Sequence, residues 1–101
     1  MSVIHIDDNN YNQVAESKKT VLIDFYSDWC GPCRMVAPIV EELANERDDV
    51  MVCKVNVDKA PGLSSAFKIY SIPTFIVVKD GVAVKRATGA MPKAKLSELL
   101  A

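Results

Sequence analysis

Several features that mark particular classes of protein are scarce or missing in this chain. Its 101 residues include only three cysteines and one histidine, which are too few for a scaffold held together by disulfides. The net charge is −1 at pH 7, and no cluster of lysine and arginine suggests a nucleic-acid interface. The apolar runs are only a few residues long, whereas a membrane-spanning helix needs about 20. We therefore expect no nucleic-acid partner and no membrane partner.

The start of the chain also carries no visible export signal. Residues 1–7 contain no basic segment followed by a long apolar stretch and a small-residue cleavage site. This favours the cytoplasm, although a mature chain processed from a precursor would look the same. Structural disulfides are rare in that compartment, so a closely spaced cysteine pair there is more often catalytic or metal-binding. With 50% hydrophobic and 25% charged residues, residues 1–101 are expected to fold as one globular domain.

The most informative stretch is Trp29-Cys30-Gly31-Pro32-Cys33. It lies between an apolar run and an amphipathic one, which predicts a strand, a short loop and a helix whose first turn contains both cysteines. Unpaired N–H groups and the helix dipole stabilise negative charge there, and the thiolate is the form of cysteine that attacks disulfides. Pro32 has no N–H to lose in the first helical turn, and Gly31 leaves room for another backbone beside Cys30. The stretch predicts a reversible dithiol–disulfide couple with Cys30 as the attacking sulfur.

A structural zinc site is the alternative for this cysteine pair. Zinc usually takes four ligands, often from a second pair of cysteines or histidines. Only Cys53 and His5 remain, and both lie in predicted strands at unsuitable spacing. We therefore predict no metal ion. Cys53 is expected to be a small buried hydrophobic residue, with a regulatory or dimer-forming thiol as the alternative.

Hydrophobic periodicity and turn residues predict an alternation of strands and helices. Strands are predicted at residues 3–6, 21–26, 50–57, 73–79 and 82–88, and helices after residue 10, from residue 33, at 60–68 and at 92–100. Asp80-Gly81 is a strong signal for a two-residue hairpin. The predicted architecture is α/β, with a mixed central sheet of five strands and four flanking helices.

The first two helices carry more detailed expectations. The acidic and amide residues at 7–10 are candidate N-caps for the first helix, and Lys18 and Lys19 would close it. Asp7 and Asp8 are otherwise expected to be solvated surface. The second helix should bury one broad apolar stripe, and Pro38 should kink it. The members of that stripe are Met35, Val36, Ile39, Val40, Leu43 and Ala44.

Over nearly its whole length the chain resembles thioredoxins. The matching blocks are Val21 to Arg34 with Ala37-Pro38, Lys54 to Asp58, Ser71-Ile72-Pro73-Thr74, Asp80-Gly81 and Gly89-Ala90. A lone Cys-x-x-Cys would be weak, but the full set at this spacing is very specific. The resemblance implies the thioredoxin fold and a protein-disulfide reductase.

In that family the first cysteine attacks a substrate disulfide and the second resolves the mixed disulfide. The resemblance assigns these roles to Cys30 and Cys33, which are joined by a disulfide at the end of the reaction. A thioredoxin reductase would restore the dithiol, so NADPH acts only indirectly and no cofactor is bound. The expected partners are that reductase and disulfide-containing proteins, and the default state is a monomer. Related oxidants and isomerases usually carry a histidine where this chain has Pro32, and the neutral proline favours a reductant.

Two polar residues are expected to support the cysteines. Asp24 lies among apolar neighbours, so burial should raise the pKa of its carboxyl group. It could then accept a proton from Cys33 through water. In the family, Lys54 lies near this aspartate, where its charge would act on both Asp24 and the thiols. The alternatives are a polar strand-edge residue for Asp24 and a solvated strand residue for Lys54.

The resemblance also implies a substrate-docking face. Its Ile-Pro-Thr block implies a cis bond between Ile72 and Pro73, facing the cysteines, with a neighbouring backbone able to pair with an extended substrate. Trp29, Ile72, Gly89 and Ala90 should form a flat apolar surface around Cys30. The alternatives are an ordinary proline at a strand start and an ordinary half-buried tryptophan.

Three positions depart from the common thioredoxin pattern. Tyr26 stands where tryptophan is common, Lys68 stands where many members have glycine, and Val57 replaces a slightly larger residue. The helix before Ser71 is therefore expected to lack a glycine cap. Two rival functions remain open, an oxidase or isomerase of exported proteins and a redox-independent binding or scaffold subunit.

Overall fold

The computed structural model describes residues 2–101 and contains the predicted alternation of elements. The predicted α/β architecture, with a five-stranded mixed sheet and four helices, is confirmed. The elements are β1 (Ile4–His5), α1 (Asn12–Ala15), β2 (Thr20–Tyr26), α2 (Gly31–Glu46), β3 (Val50–Asn56), α3 (Pro61–Ala66), β4 (Thr74–Lys79), β5 (Val82–Thr88) and α4 (Lys93–Leu99).

The sheet has the strand order β1-β3-β2-β4-β5. β3 pairs in parallel with both β1 and β2, while β4 pairs antiparallel with β2 and β5. The parallel neighbours β2 and β3 need a crossover, which α2 supplies, whereas the antiparallel β4 and β5 need only the hairpin. Asp80 and Gly81 form that two-residue connection, both with positive φ, as the hairpin signal predicts.

Side chains alternate across β2 and divide the interior into two cores. Ile23 and Phe25 belong to a core that also contains residues of α1 and α3. Leu22 belongs to the opposite core, which is closed by α2 and α4. Asp24, two residues after Leu22, therefore lies on the α2 side of the sheet, which is the side that carries the cysteines.

The first helix differs from the prediction at both ends. Its N-cap is Tyr11, which makes no capping bond through its side chain, and the helix ends at Ala15. Asp7 and Asn10 form a local turn instead, in which the Asp7 N–H donates to Asn10 Oδ1 at 2.7 Å. Short acidic and amide side chains compete with helix formation in this way. The predicted N-caps were wrong, and the lysines at 18 and 19 lie beyond the helix.

Asp8 is exposed at the surface, as predicted, but its carboxylate also contacts a helix that is distant in the sequence. Its carboxylate accepts hydrogen bonds from the N–H groups of Gly62 at 2.9 Å and Leu63 at 2.8 Å. These groups lie in the first turn of α3, whose own N-cap, Ala60, has no side-chain acceptor. A residue more than fifty positions away in the sequence therefore caps this helix.

The other end of α3 adopts the left-handed geometry without a glycine. Lys68 has a φ of 53°. Its N–H donates to Ser65 O at 3.0 Å, and the N–H of Ile69 donates to Ser64 O at 2.9 Å. These two bonds are those of a Schellman motif, which glycine usually completes. The helix lacks a glycine cap, as predicted, but Lys68 adopts the backbone conformation that a glycine cap would have.

Candidate active site

Cys30 is the N-cap residue of α2, and Cys33 lies in the first turn of that helix. The two residues are joined by a disulfide, with Cα atoms 5.2 Å apart. The Cys33 N–H donates to Cys30 Sγ at 3.2 Å. An N-cap sulfur that accepts a backbone N–H is placed to carry negative charge, because the helix N-terminus stabilises anions.

The disulfide is largely covered by protein. Cys30 is 5% exposed and Cys33 is 3% exposed. Pro32 is exposed beside them, and a Cβ added at Gly31 would meet nothing within 4 Å. The open space beside Gly31 is therefore available to a molecule that approaches Cys30.

Two further loops meet at Cys30. The Sγ atom of Cys30 lies 3.8 Å from the carbonyl oxygen of Ile72, and the Ile72–Pro73 peptide is cis. The N–H of Gly89 donates to Pro73 O at 2.8 Å, and its φ of 96° favours glycine. The structure thus brings Ile72, Pro73, Gly89 and the cysteines together.

Trp29 is 71% exposed and is held by a residue that the sequence analysis did not single out. Its indole Nε1–H donates to Asp58 Oδ2 at 3.1 Å. The Asp58 N–H in turn donates to Asn56 Oδ1 at 3.0 Å. Because Trp29 and Asp58 are far apart in the sequence, no local signal could have shown this contact.

Asp24 is fully buried, as its apolar neighbours predict. Neither carboxylate oxygen has a hydrogen-bond partner among residues 2–101. Burial raises the pKa of Asp24 to about 7, and the charge of Lys54 partly opposes that rise. Lys54 lies directly beside Asp24 in the β2–β3 register. Its Nζ is 4.4 Å from the centroid of the Tyr26 ring, a cation–π arrangement.

A cavity of about 170 Å³ lies between Lys54 and the cysteine pair. Cys33 and Lys54 both line it. The buried Ser27 hydroxyl also lines it and has no hydrogen-bond partner in the described part of the chain. Its lining is mainly apolar, but Ser27, Asp28, Arg34 and Lys54 supply polar groups that water could contact. The cavity therefore connects Cys33 with Lys54, the β3 neighbour of Asp24, whereas Asp24 itself does not line it.

An apolar groove of about 290 Å³ continues from Ala90 toward α2. Met35, Ile39, Met91 and Pro92 are among the residues that line it. Met35 is 75% exposed, so its predicted place in the buried stripe of the helix was wrong. It lies in the second turn of α2, beside the loop that carries Ala90 rather than against the sheet.

The remaining candidates lie away from the cysteine pair. Cys53 is fully buried in β3, and burial raises the pKa of its thiol to about 12. Within the described residues, no three histidine, cysteine or acidic side chains are grouped so that they could hold a metal ion. No helix between residues 2 and 101 is both long and apolar enough to cross a membrane.

Comparison with known proteins gives consistent matches. The family model named Thioredoxin matches residues 2–101. The chain is 49% identical to Thioredoxin 1 of Synechococcus elongatus over 89 residues, which cover 87% of this chain and 83% of that protein. It is 47% identical to the thioredoxin of Alicyclobacillus acidocaldarius over 97 residues, covering 95% and 92% of the two chains. Among solved structures, a mutant thioredoxin from Halobacterium salinarum matches with a TM-score of 0.91 and 34% identity, covering 98% of this chain and 88% of that one.

Proposed function

This chain belongs to the thioredoxin family and is a thiol–disulfide oxidoreductase, and from that premise we propose how its own residues carry out the reduction of protein disulfides. The observation that carries the proposal is the position of Cys30 as the N-cap of α2, disulfide-bonded to Cys33. The oxidised pair is the product of one reductive cycle, and the N-cap sulfur is the better placed nucleophile.

The cycle has two exchange steps. In the first step, the Cys30 thiolate attacks one sulfur of the substrate disulfide, whose bond breaks, and the other substrate sulfur leaves as a thiolate that takes a proton. In the second step, Cys33 loses its proton and attacks Cys30 Sγ. The substrate then leaves as a dithiol and the Cys30–Cys33 disulfide forms, so two electrons have passed to the substrate.

Asp24 is proposed to accept the proton of Cys33 in the second step. A carboxyl group whose pKa is about 7 can both take and release a proton near neutral pH. The cavity beside Cys33 and Lys54 has room for the water that would carry the proton. Lys54 is proposed to stabilise the carboxylate form of Asp24, because it lies beside it on β3.

The surface around Cys30 is proposed to bind extended protein segments. Trp29 is exposed, Ile72 lies against Cys30, and Gly89 and Ala90 follow on the adjoining loop. An extended segment could pair with the backbone of the residue next to Pro73. Pro73 itself has no N–H and cannot donate a hydrogen bond to that segment. The space beside Gly31 would let the substrate backbone come close to the sulfur.

The rest of the cycle is proposed from the family. An NADPH-dependent thioredoxin reductase would return the pair to the dithiol, so the protein itself would bind no cofactor and no metal. It would act in the cytoplasm as a monomer, with residues 1–101 forming one thioredoxin domain. The match of the family model over residues 2–101 supports the domain boundary.

Insulin reduction tests this proposal, with NADPH and a purified thioredoxin reductase as the only electron source. The native protein should reduce insulin, whereas Cys30→Ser should not, because it has no attacking sulfur. Cys33→Ser should accumulate the mixed disulfide, which a mass increase equal to the substrate would reveal. A native protein active only with dithiothreitol would contradict the choice of reductase. Inactivity with both electron sources would contradict the proposed reaction and favour a scaffold role.

A further inference from the structure

Arg86 makes an unusual pair of contacts from the exposed strand β5. Its Nη1–H donates to the carbonyl oxygen of Phe67 at 2.5 Å, and its Nη2–H donates to that of Lys68 at 2.6 Å. These are consecutive carbonyls at the C-terminal end of α3. Helix ends leave such carbonyls without intrahelical partners, and a cation there is favoured by the helix dipole. The planar guanidinium group suits two adjacent acceptors.

The turn that Arg86 holds is one that the backbone alone disfavours. Lys68 has a positive φ, although its side chain gives it no particular preference for that region. The segment that follows the turn is short and exposed: Tyr70 is 88% exposed, and Ser71 is also at the surface. It ends at Ile72, whose carbonyl lies against Cys30. The placement of Ile72 therefore depends on how firmly the turn is anchored.

Arg86 also connects the two loops that meet at the cysteines. Its own strand continues through Thr88 to Gly89, which donates a hydrogen bond to Pro73 O. Its side chain reaches back to the turn that leads into Ile72. Arg86 thus adds a side-chain link between the loop of Ile72 and the loop of Gly89 and Ala90, beside the direct bond from the Gly89 N–H to Pro73 O.

We propose that Arg86 is a positioning residue for substrate docking, because it holds the α3–β4 turn so that Ile72 and the Gly89 loop form one surface beside Cys30. This inference rests on the proposed docking face. When the turn loosens, the fraction of molecules with a complete docking surface falls, and the apparent affinity for a protein substrate falls by the same factor. The reactivity of the Cys30 thiolate itself does not depend on Arg86.

Three variants test this role. Arg86→Met removes both donors while keeping an aliphatic side chain, and Arg86→Lys keeps the charge without the forked donor geometry. Lys85→Met is the matched control, because it removes one charge from the same strand and because the Nζ of Lys85 donates to Ala101 O, 3.3 Å away at the chain end, and not to the α3–β4 turn. The readouts are kcat and KM for insulin, the rate of reaction with oxidised glutathione, hydrogen exchange of the Ile69 amide, and the thermal midpoint.

The KM of Arg86→Met for insulin should rise about three- to tenfold, with kcat and the glutathione rate changed by less than about twofold. Its Ile69 amide, which donates to Ser64 O in the native protein, should exchange faster. Arg86→Lys should fall between Arg86→Met and the native protein, and Lys85→Met should match the native protein.

An unchanged insulin KM in Arg86→Met, with only a lower thermal midpoint, would reduce Arg86 to a purely stabilising role. Equal losses with insulin and with glutathione would also overturn the proposal, since they would indicate an effect on the Cys30 chemistry. If Arg86→Met does not fold, an insulin KM for Arg86→Lys equal to the native value would overturn it. A native protein that reduces neither substrate would instead contradict the proposed function, and is thus a separate outcome.

Discussion

Replacing Asp24 with asparagine should stabilise the oxidised protein at alkaline pH and leave its stability nearly unchanged at acid pH. Asparagine has almost the same shape as aspartic acid but does not ionise. The carboxylate is fully buried without a hydrogen-bond partner among the described residues. The native protein therefore bears the cost of a buried charge whenever Asp24 is ionised, and the variant does not.

The pKa of Asp24 sets the size and the pH range of this effect. Burial raises it from 3.8 to about 7, and Lys54 only partly offsets the rise. The native state thus holds the proton more tightly than the unfolded chain does. The stability linked to this proton is complete below about pH 4 and falls by about 1.4 kcal/mol per pH unit until about pH 7. Above that pH the accumulated loss is about 4 kcal/mol for this carboxyl group.

Urea unfolding of the oxidised native and Asp24→Asn proteins, at about pH 4, 6 and 8 and constant ionic strength, measures this difference. The variant should gain roughly 3 to 4 kcal/mol relative to the native protein between the lowest and highest pH. Glu41→Gln is the control, because it removes a carboxylate from the exposed side of α2. Its free energy of unfolding should stay within about 0.5 kcal/mol of the native value at each pH.

A stability difference between Asp24→Asn and the native protein that stays constant across these pH values would refute the reasoning, because it would mean that Asp24 does not titrate between them. A variant that is less stable at pH 8 would refute it as well. The same substitution should slow insulin reduction at neutral pH by about tenfold or more, since Cys33 loses its proposed proton acceptor. Greater stability with lower activity would place Asp24 among residues kept for chemistry rather than for folding.

Two further predictions concern the ends of α3. Asp8→Ala should lower the free energy of unfolding by about 1 to 2 kcal/mol, because two N–H groups of the first turn lose their acceptor. Asp8→Asn keeps one acceptor oxygen, so its free energy of unfolding in the same urea experiment should fall by about half as much as that of Asp8→Ala. Equal decreases in the two variants would mean that the loss of capping is not the cause. Lys68→Gly should raise the urea midpoint by the equivalent of about 0.5 to 1 kcal/mol, because glycine adopts the positive φ without steric cost. Replacing Ser65, inside the helix, with glycine should lower the free energy of unfolding by about 0.5 kcal/mol, and a loss at both positions would show that Lys68 is not strained.

The chemistry of the site was predictable because its signal is local. Cys30 and Cys33 are separated by two residues, and the apolar run before them and the amphipathic run after them place the pair at the start of a helix. The position of Asp24 within an apolar strand likewise predicts its burial. The Asp80-Gly81 hairpin follows from the preference of these residues for positive φ. In each case the neighbours along the chain supply the relevant physics.

Predictions failed where two local preferences competed. Asp7 and Asn10 were as suitable for an N-cap as for a turn, and the turn formed. Met35 has the helical spacing of a buried residue, yet it lines the open groove beside Ala90 and is exposed, while its neighbour Val36 is buried. Periodicity tells which residues share a face of a helix, but it does not tell how far that face is covered.

The amino-acid sequence alone determines the order of strands and helices, the cysteine pair at a helix N-terminus and the buried carboxyl group, because these depend on residues close together in the chain. Only the folded structure joins Asp8 to α3, Trp29 to Asp58 and Arg86 to the turn before Ile72. These contacts link segments that are distant in sequence, and a hydrogen bond over such a distance depends on the packing of the whole sheet. The tertiary structure therefore decides how the surface around Cys30 is assembled, while the local sequence decides which sulfur reacts.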